Sequence, residues 1–249
     1  MQPVVVKLLA LGSVVELELT GSGAPAAERL VRRSWSWCVS ELDLPAMVRV
    51  RAAYDVGDDP ATFMQWLTQS INYAVIESQA GQLMMFHACT LADSQGRVAA
   101  LVAPSGTGKT TAAVALGREF GYLSDETAGV LPDGTVVPYP KPLSIIETPG
   151  QPKAQVDPGQ LYDAQPTGPF ALKALIYLSR REAGPVEVEE VPLLESLALL
   201  APQTSFLSKL DQPLHRLADL VKSCGGVHEV RYSDTAALGP VVRRLLEAQ

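Results

Sequence analysis

The run Val98-Ala99-Ala100-Leu101-Val102-Ala103-Pro104-Ser105-Gly106-Thr107-Gly108-Lys109-Thr110-Thr111 constrains this chain more than any other stretch. Its apolar start reads as a buried strand, and Thr111-Ala112-Ala113-Val114-Ala115-Leu116 behind it reads as a helix. A strand, a glycine-containing loop ending in Gly-Lys-Thr and a helix form the context that a phosphate-binding P-loop requires. Gly106 and Gly108 let the backbone curl so that successive N–H groups face an anion. The helix N-terminus adds free donors and partial positive charge. On this reading Pro104, Ser105, Gly106, Thr107, Gly108, Lys109, Thr110 and Thr111 cradle a nucleotide. Lys109 reaches the β and γ phosphates, and the Thr110 hydroxyl ligates Mg²⁺. The first position of the pattern is Ala103 rather than glycine, so the backbone there is expected to tolerate a Cβ. A solvated glycine turn before a helix is the plain alternative, and it explains neither the lysine nor the paired threonines.

Composition narrows the classes. With 249 residues the chain buries one large core or two modest ones. A formal charge of -7 argues against nonspecific binding to nucleic acid or to anionic membranes. Cys38, Cys89 and Cys224 are odd in number and far apart, which fits buried structural thiols in a reducing cytoplasm rather than a disulfide framework or a metal site. The stretch from Pro3 to Leu9 has no basic region before it and reads as a first strand rather than a signal peptide. No apolar run reaches the length of a membrane span.

Along the chain, residues 4–19 read as one or two strands, about 26–38 as a helix and Met47–Arg51 as a strand. Asp59 before Pro60 marks a helix start, and Phe63, Trp66, Leu67, Ile71, Ala74 and Val75 read as its core stripe. Strands over 83–92 and 97–102, joined by a polar turn, imply an antiparallel hairpin feeding the glycine loop. After one short helix, Gly121 to Thr127 approaches Asp125-Glu126, placing two carboxylates at a strand terminus. Gly134 marks a further hairpin turn. The proline-rich stretch 138–146 is expected to be extended, and 147–170 to be a long loop. Strands at 172–178, 186–191 and 227–232 and helices at 192–200, 214–223 and from about 234 complete the pattern. The expected division is a small N-terminal α/β segment, 1–58, packed on a core of residues 59–249.

Phosphoryl transfer needs charge neutralisation, in-line positioning and a group to accept the attacking hydroxyl's proton. Asp125 and Glu126 suit the last task and the metal's second anchor; a polar strand end is their plain alternative. Here the chain resembles the HPr kinase/phosphorylase catalytic domain, whose nucleotide core is shared with phosphoenolpyruvate carboxykinase. Phe86-His87-Ala88, the loop Ala103–Thr111, Leu123-Ser124-Asp125-Glu126 and the strand and helix from Val227 carry the resemblance, over roughly 61–249. It implies an α/β fold with a P-loop core of that type, a mixed sheet and flanking helices. It further implies an ATP- and Mg²⁺-dependent kinase acting on a hydroxyl of a protein or peptide serine or of a small metabolite. His87 then matches the histidine beside the active site, Asp125 the general base, and Glu126 a position where the bifunctional enzymes carry a second aspartate. That last departure weakens any expectation of phosphorylase activity. The resemblance suggests a homo-oligomeric assembly as well.

Lys141, between prolines, is a candidate cation for the γ-phosphate or the substrate, and equally a solvated loop lysine. Arg180 and Arg181 end a strand and are lesser candidates for the same task. His215 and His228 read as structural. Two rivals remain, a nucleotide-dependent binding or switch protein without transfer, and a plain ATPase coupled to motion. The second is disfavoured because no apolar strand far downstream of the loop ends in Asp-Glu. The donor is open among ATP, ADP and pyrophosphate.

Overall fold

Alternation and turn chemistry build the first part of the chain. The computed structural model describes residues 2–42 and 44–248. Val4–Ala10 (β1) and Ser13–Thr20 (β2) pair antiparallel across Leu11-Gly12. Both turn residues have positive φ, 48° at Leu11 and 76° at Gly12, the mirror-image turn that matches strand twist. Leu11 is fully buried, which offsets the cost of its backbone. Ala24–Ser34 (α1) crosses over to Val48–Ala53 (β3), which lies parallel to β2. Val48, Val50 and Ala52 point inward. Arg49 and Arg51 point outward onto Glu16 and Glu18, at 3.1 and 2.6 Å, exposed pairs worth little to stability.

Pro60–Ser78 (α2) starts where Asp59 accepts a hydrogen bond from Thr62 N at 2.8 Å. Asp59→Ala is expected to cost about 1 kcal/mol, read as a lowered urea midpoint at unchanged slope. The buried stripe is Phe63, Met64, Leu67, Thr68, Ile71 and Val75. Trp66 is 48% exposed, so the expected stripe is rotated by part of a turn, with Met64 inside in its place.

The chain then forms Met84–Ala92 (β4), Arg97–Val102 (β5), Lys109–Leu116 (α3), Gly121–Ser124 (β6), Thr127–Val130 (β7) and Val136–Val137 (β8). The expected β4–β5 hairpin is antiparallel. Its turn is tied by Asp93 Oδ1, which accepts from Gln95 N at 2.8 Å and Arg97 N at 3.0 Å. Gly134, at φ 86°, makes the β7–β8 turn. Two short antiparallel strands follow, Leu143–Ile145 (β9) and Ala154–Val156 (β10), inside a stretch expected to be partly loop. Beyond them lie Ala171–Arg180 (β11), Glu187–Val191 (β12), Leu193–Leu200 (α4), Thr204–Ser205 (β13), Pro213–Ser223 (α5), Val227–Tyr232 (β14) and Leu238–Glu247 (α6).

The chain divides into two compact units at places other than residue 58. One holds the stretch up to Gln79 together with Tyr139–Asp163; the other holds Ala80–Pro138 and the chain from Ala164. The reason is packing. Helix α2 lies against β2, β3 and β10, and Tyr139 OH donates to Asn72 Oδ1 on α2. The Tyr139 ring also sits 6.3 Å from that of Trp35. These ties hold the later segment to the N-terminal sheet.

In the second unit, the described strands form a nine-stranded mixed sheet of order β12-β14-β11-β5-β4-β7-β8, with β6 and β13 also paired to β4. Strand β11 runs parallel to both β5 and β14. Strands β4 and β5 are buried along almost their whole length, as expected of strands covered on both faces. Phe86, Ala88, Val98, Ala100, Val102 and Leu175 join Leu200, Leu217 and Val221 of α4 and α5 in one core cluster. Helix α6 packs on β5, β11 and α3. The three cysteines are free and buried. Among the described residues no helix is long and apolar enough to cross a membrane.

Candidate functional site

Strand β5 ends at Val102, and the chain turns through 103–108 into α3. The turn needs φ of 84° at Gly106 and 104° at Gly108. An added Cβ at Gly106 would meet no atom within 4 Å, so open space lies before it. At Gly108 it would come within 3.1 Å of Tyr232 OH and 3.8 Å of an Arg180 guanidinium nitrogen. Among described non-glycine residues positive φ is confined to Leu11, Phe206 and Gln212, so Ala103 has the ordinary backbone a Cβ tolerates. Pro104, Ser105, Gly106 and Thr111 are exposed, while Thr107, Gly108 and Thr110 are half-buried.

Lys109 is 6% exposed, and its ammonium donates to Ala103 O at 2.7 Å and Pro104 O at 2.9 Å. Burial lowers its pKa from 10.5 to about 8, against the opposing charges of Glu126 and Asp125. The unfolded chain therefore binds the extra proton between about pH 8 and 10.5, and stability should rise with pH across that window. Wild type is expected to gain stability relative to Lys109→Met as pH rises through it. A denaturation-midpoint difference independent of pH would contradict this.

The β6–β7 corner brings the carboxylates to the loop. Ser124 Oγ accepts from Glu126 N at 3.2 Å and Thr127 N at 3.1 Å, fixing the corner. Asp125 is 2% exposed. Its Oδ2 accepts from Thr110 Oγ1 at 2.9 Å, and its Oδ1 from Tyr122 OH at 3.1 Å. Glu126 O accepts from Ala88 N at 3.1 Å and lies 3.2 Å from His87 Nδ1. A carbonyl only accepts, so Nδ1 carries the proton in this hydrogen bond. The Glu126 carboxylate is 3.5 Å from the same nitrogen, with the His87 and Glu126 side chains 30% and 35% exposed. Burial, then the Lys109 charge, hold His87 below its usual pKa. Its ring is therefore neutral at pH 7.

The sheet thus brings Lys109, Thr110, Asp125, Glu126 and His87 together at the end of β5. Arg180, at the end of β11, reaches the same loop beside Gly108. Arg181 is engaged elsewhere, its guanidinium on Glu187 at 3.0 Å and on Pro185 O. Lys141 belongs to the other unit, where it is buried with its ammonium donating to Pro142 O at 2.9 Å. His215 is exposed on α5; His228 is half-buried on β14, where burial lowers its pKa.

Two tyrosines at the site escaped the sequence reading. Tyr232 OH donates to Thr107 O at 2.7 Å and ties the loop to β14, as Tyr122 ties Asp125 to β6. Only the spacing of Tyr122, three residues before Asp125, offered a local signal. Among the described residues no three His, Cys, Asp or Glu side chains group to hold a metal by themselves. Thr110, Asp125 and Glu126 offer hard oxygen donors, the type Mg²⁺ shares with phosphate oxygens and water. No known family model matches the chain, and no curated protein matches it.

Proposed function

We propose that the protein is an ATP- and Mg²⁺-dependent kinase of the HPr-kinase-like group, with the phosphoenolpyruvate-carboxykinase type of P-loop core. It would transfer the γ-phosphoryl group to a hydroxyl of a protein or peptide serine or of a small metabolite. The observation that carries this is the Thr110–Asp125 hydrogen bond, which joins the start of α3 to the carboxylate corner at the mouth of the glycine loop. A solvated turn would have no reason to hold a buried lysine, a hydroxyl and a carboxylate pair together there.

The curled backbone over Gly106–Gly108 and the first N–H groups of α3 receive the phosphates. Lys109 leaves its loop carbonyls for the β and γ oxygens, and Arg180 adds a second cation beside Gly108. Mg²⁺, held by Thr110 and one carboxylate of the Asp125–Glu126 pair, would neutralise charge on the β- and γ-phosphates. The other carboxylate of the pair receives the acceptor's proton. The oxygen-rich donor set and the open space before Gly106 fit such a load. A cytoplasmic setting suits ATP as donor, and the family resemblance extends the reading to a homo-oligomer.

Calorimetric titration of Mg²⁺ with a non-hydrolysable ATP analogue tests the binding half. Saturable one-site binding, weakened at least tenfold when Mg²⁺ is withheld, is expected. Absence of binding with or without Mg²⁺ would contradict the proposal.

A further inference from the structure

We infer that Glu126, positioned by His87, is the group that takes the acceptor's proton, and that Asp125 is the metal-side anchor. This rests on the kinase reading above and reverses the division of labour that the family resemblance implies. A proton acceptor must touch the incoming hydroxyl, at about 2.6–3.2 Å in the reacting complex. Asp125 is placed badly for that. It is 2% exposed, and each of its oxygens already accepts a hydroxyl, one from Thr110 and one from Tyr122. Each oxygen keeps a further lone pair, but at 2% exposure almost no surface is left for a hydroxyl arriving from solvent. The Thr110 bond instead places Asp125 beside the hydroxyl expected to meet the metal, where a buried carboxylate serves as a fixed anchor.

Glu126 has the opposite surroundings. Its side chain is 35% exposed, and its carboxylate lies 3.5 Å from His87 Nδ1. The same nitrogen and Ala88 N hold its main-chain carbonyl at 3.2 and 3.1 Å. The residue is therefore fixed at its backbone from β4, while its carboxylate stays partly exposed to solvent. His87 acts through Glu126 and is a positioning residue. In the step, the acceptor oxygen forms a bond to the γ-phosphorus and its proton passes to Glu126. The bond from γ-phosphorus to the bridging oxygen breaks, and ADP leaves with that electron pair.

The test compares wild type, Glu126→Gln, Glu126→Asp and Asp125→Asn, each confirmed folded by its thermal midpoint. Two readouts are used, affinity for a non-hydrolysable ATP analogue with and without Mg²⁺, and loss of the γ-phosphoryl group from labelled ATP to acceptors or water. Glu126→Gln should keep the Mg²⁺ enhancement of affinity within about twofold while transfer falls about 10²–10⁴-fold, the range of general-base catalysis. Glu126→Asp, which keeps a carboxylate, should recover part of the transfer. Asp125→Asn should lose the Mg²⁺ enhancement itself. Loss of the enhancement in Glu126→Gln with its retention in Asp125→Asn would overturn the inference alone, as would wild-type transfer rates in Glu126→Gln. A wild type that binds no Mg²⁺-nucleotide would overturn the kinase reading and this inference with it.

Discussion

Lys109→Met is expected to reduce phosphoryl transfer by about 10²–10³-fold or more, the loss typical of removing one preorganised donor from a developing anion. The side chain is buried at the start of α3, and its ammonium is held 2.7 and 2.9 Å from two loop carbonyls. Methionine keeps the stem and the packing but carries no charge to offer the phosphates of the proposed nucleotide. It also leaves the Ala103 and Pro104 carbonyls without that donor. The unfavourable burial of a cation disappears at the same time, so global stability near pH 7 should move much less than activity. Steady-state transfer and a denaturation curve on one preparation separate the two effects. Transfer near the wild-type rate, with the fold intact, would remove Lys109 from the site.

Phe86→Ala is expected to cost about 3–5 kcal/mol, a large part of the roughly 5–15 kcal/mol that holds a domain together. Phe86 is fully buried in β4, at the centre of the nine-stranded sheet, in the cluster that joins the sheet to α4 and α5. Strand alternation puts it on the opposite face from its neighbour His87. A cavity there loosens the strand that holds the Glu126 carbonyl through Ala88 N and His87 Nδ1. The urea midpoint should fall sharply at unchanged slope. A change below 1 kcal/mol would mean that the core closes around the lost ring.

What sequence alone revealed depended on how local the cause was. The hairpin feeding the loop was legible because Asp93 and Gly96 form a turn between two apolar runs. The start of α2 was legible because a capping aspartate precedes a proline. The loop with Lys109 and Thr110, and the nearby Asp125 and Glu126, lie within a few dozen residues of one another. Their convergence follows from β4 pairing with both β5 and β6. The division into units was not legible. It depends on Tyr139 meeting Asn72, 67 positions away, and on α2 packing against β10. No periodicity announces such contacts. Trp66 reads as core by its chemistry, and only the facing sheet shows that Met64 takes the inward position. Tyr232 bonds Thr107 from 125 positions away, which needs the parallel pairing of β11 with β5 and β14.

The most direct test of the kinase reading follows the label of γ-labelled ATP with Mg²⁺, using wild type and Lys109→Met against a panel of serine peptides and small hydroxylated acceptors. The expected result is label on an acceptor with wild type and at least a hundredfold less with the variant. Label that stays on ATP with every acceptor, in a wild type shown to bind Mg²⁺-ATP, would contradict a kinase and leave a nucleotide-binding switch.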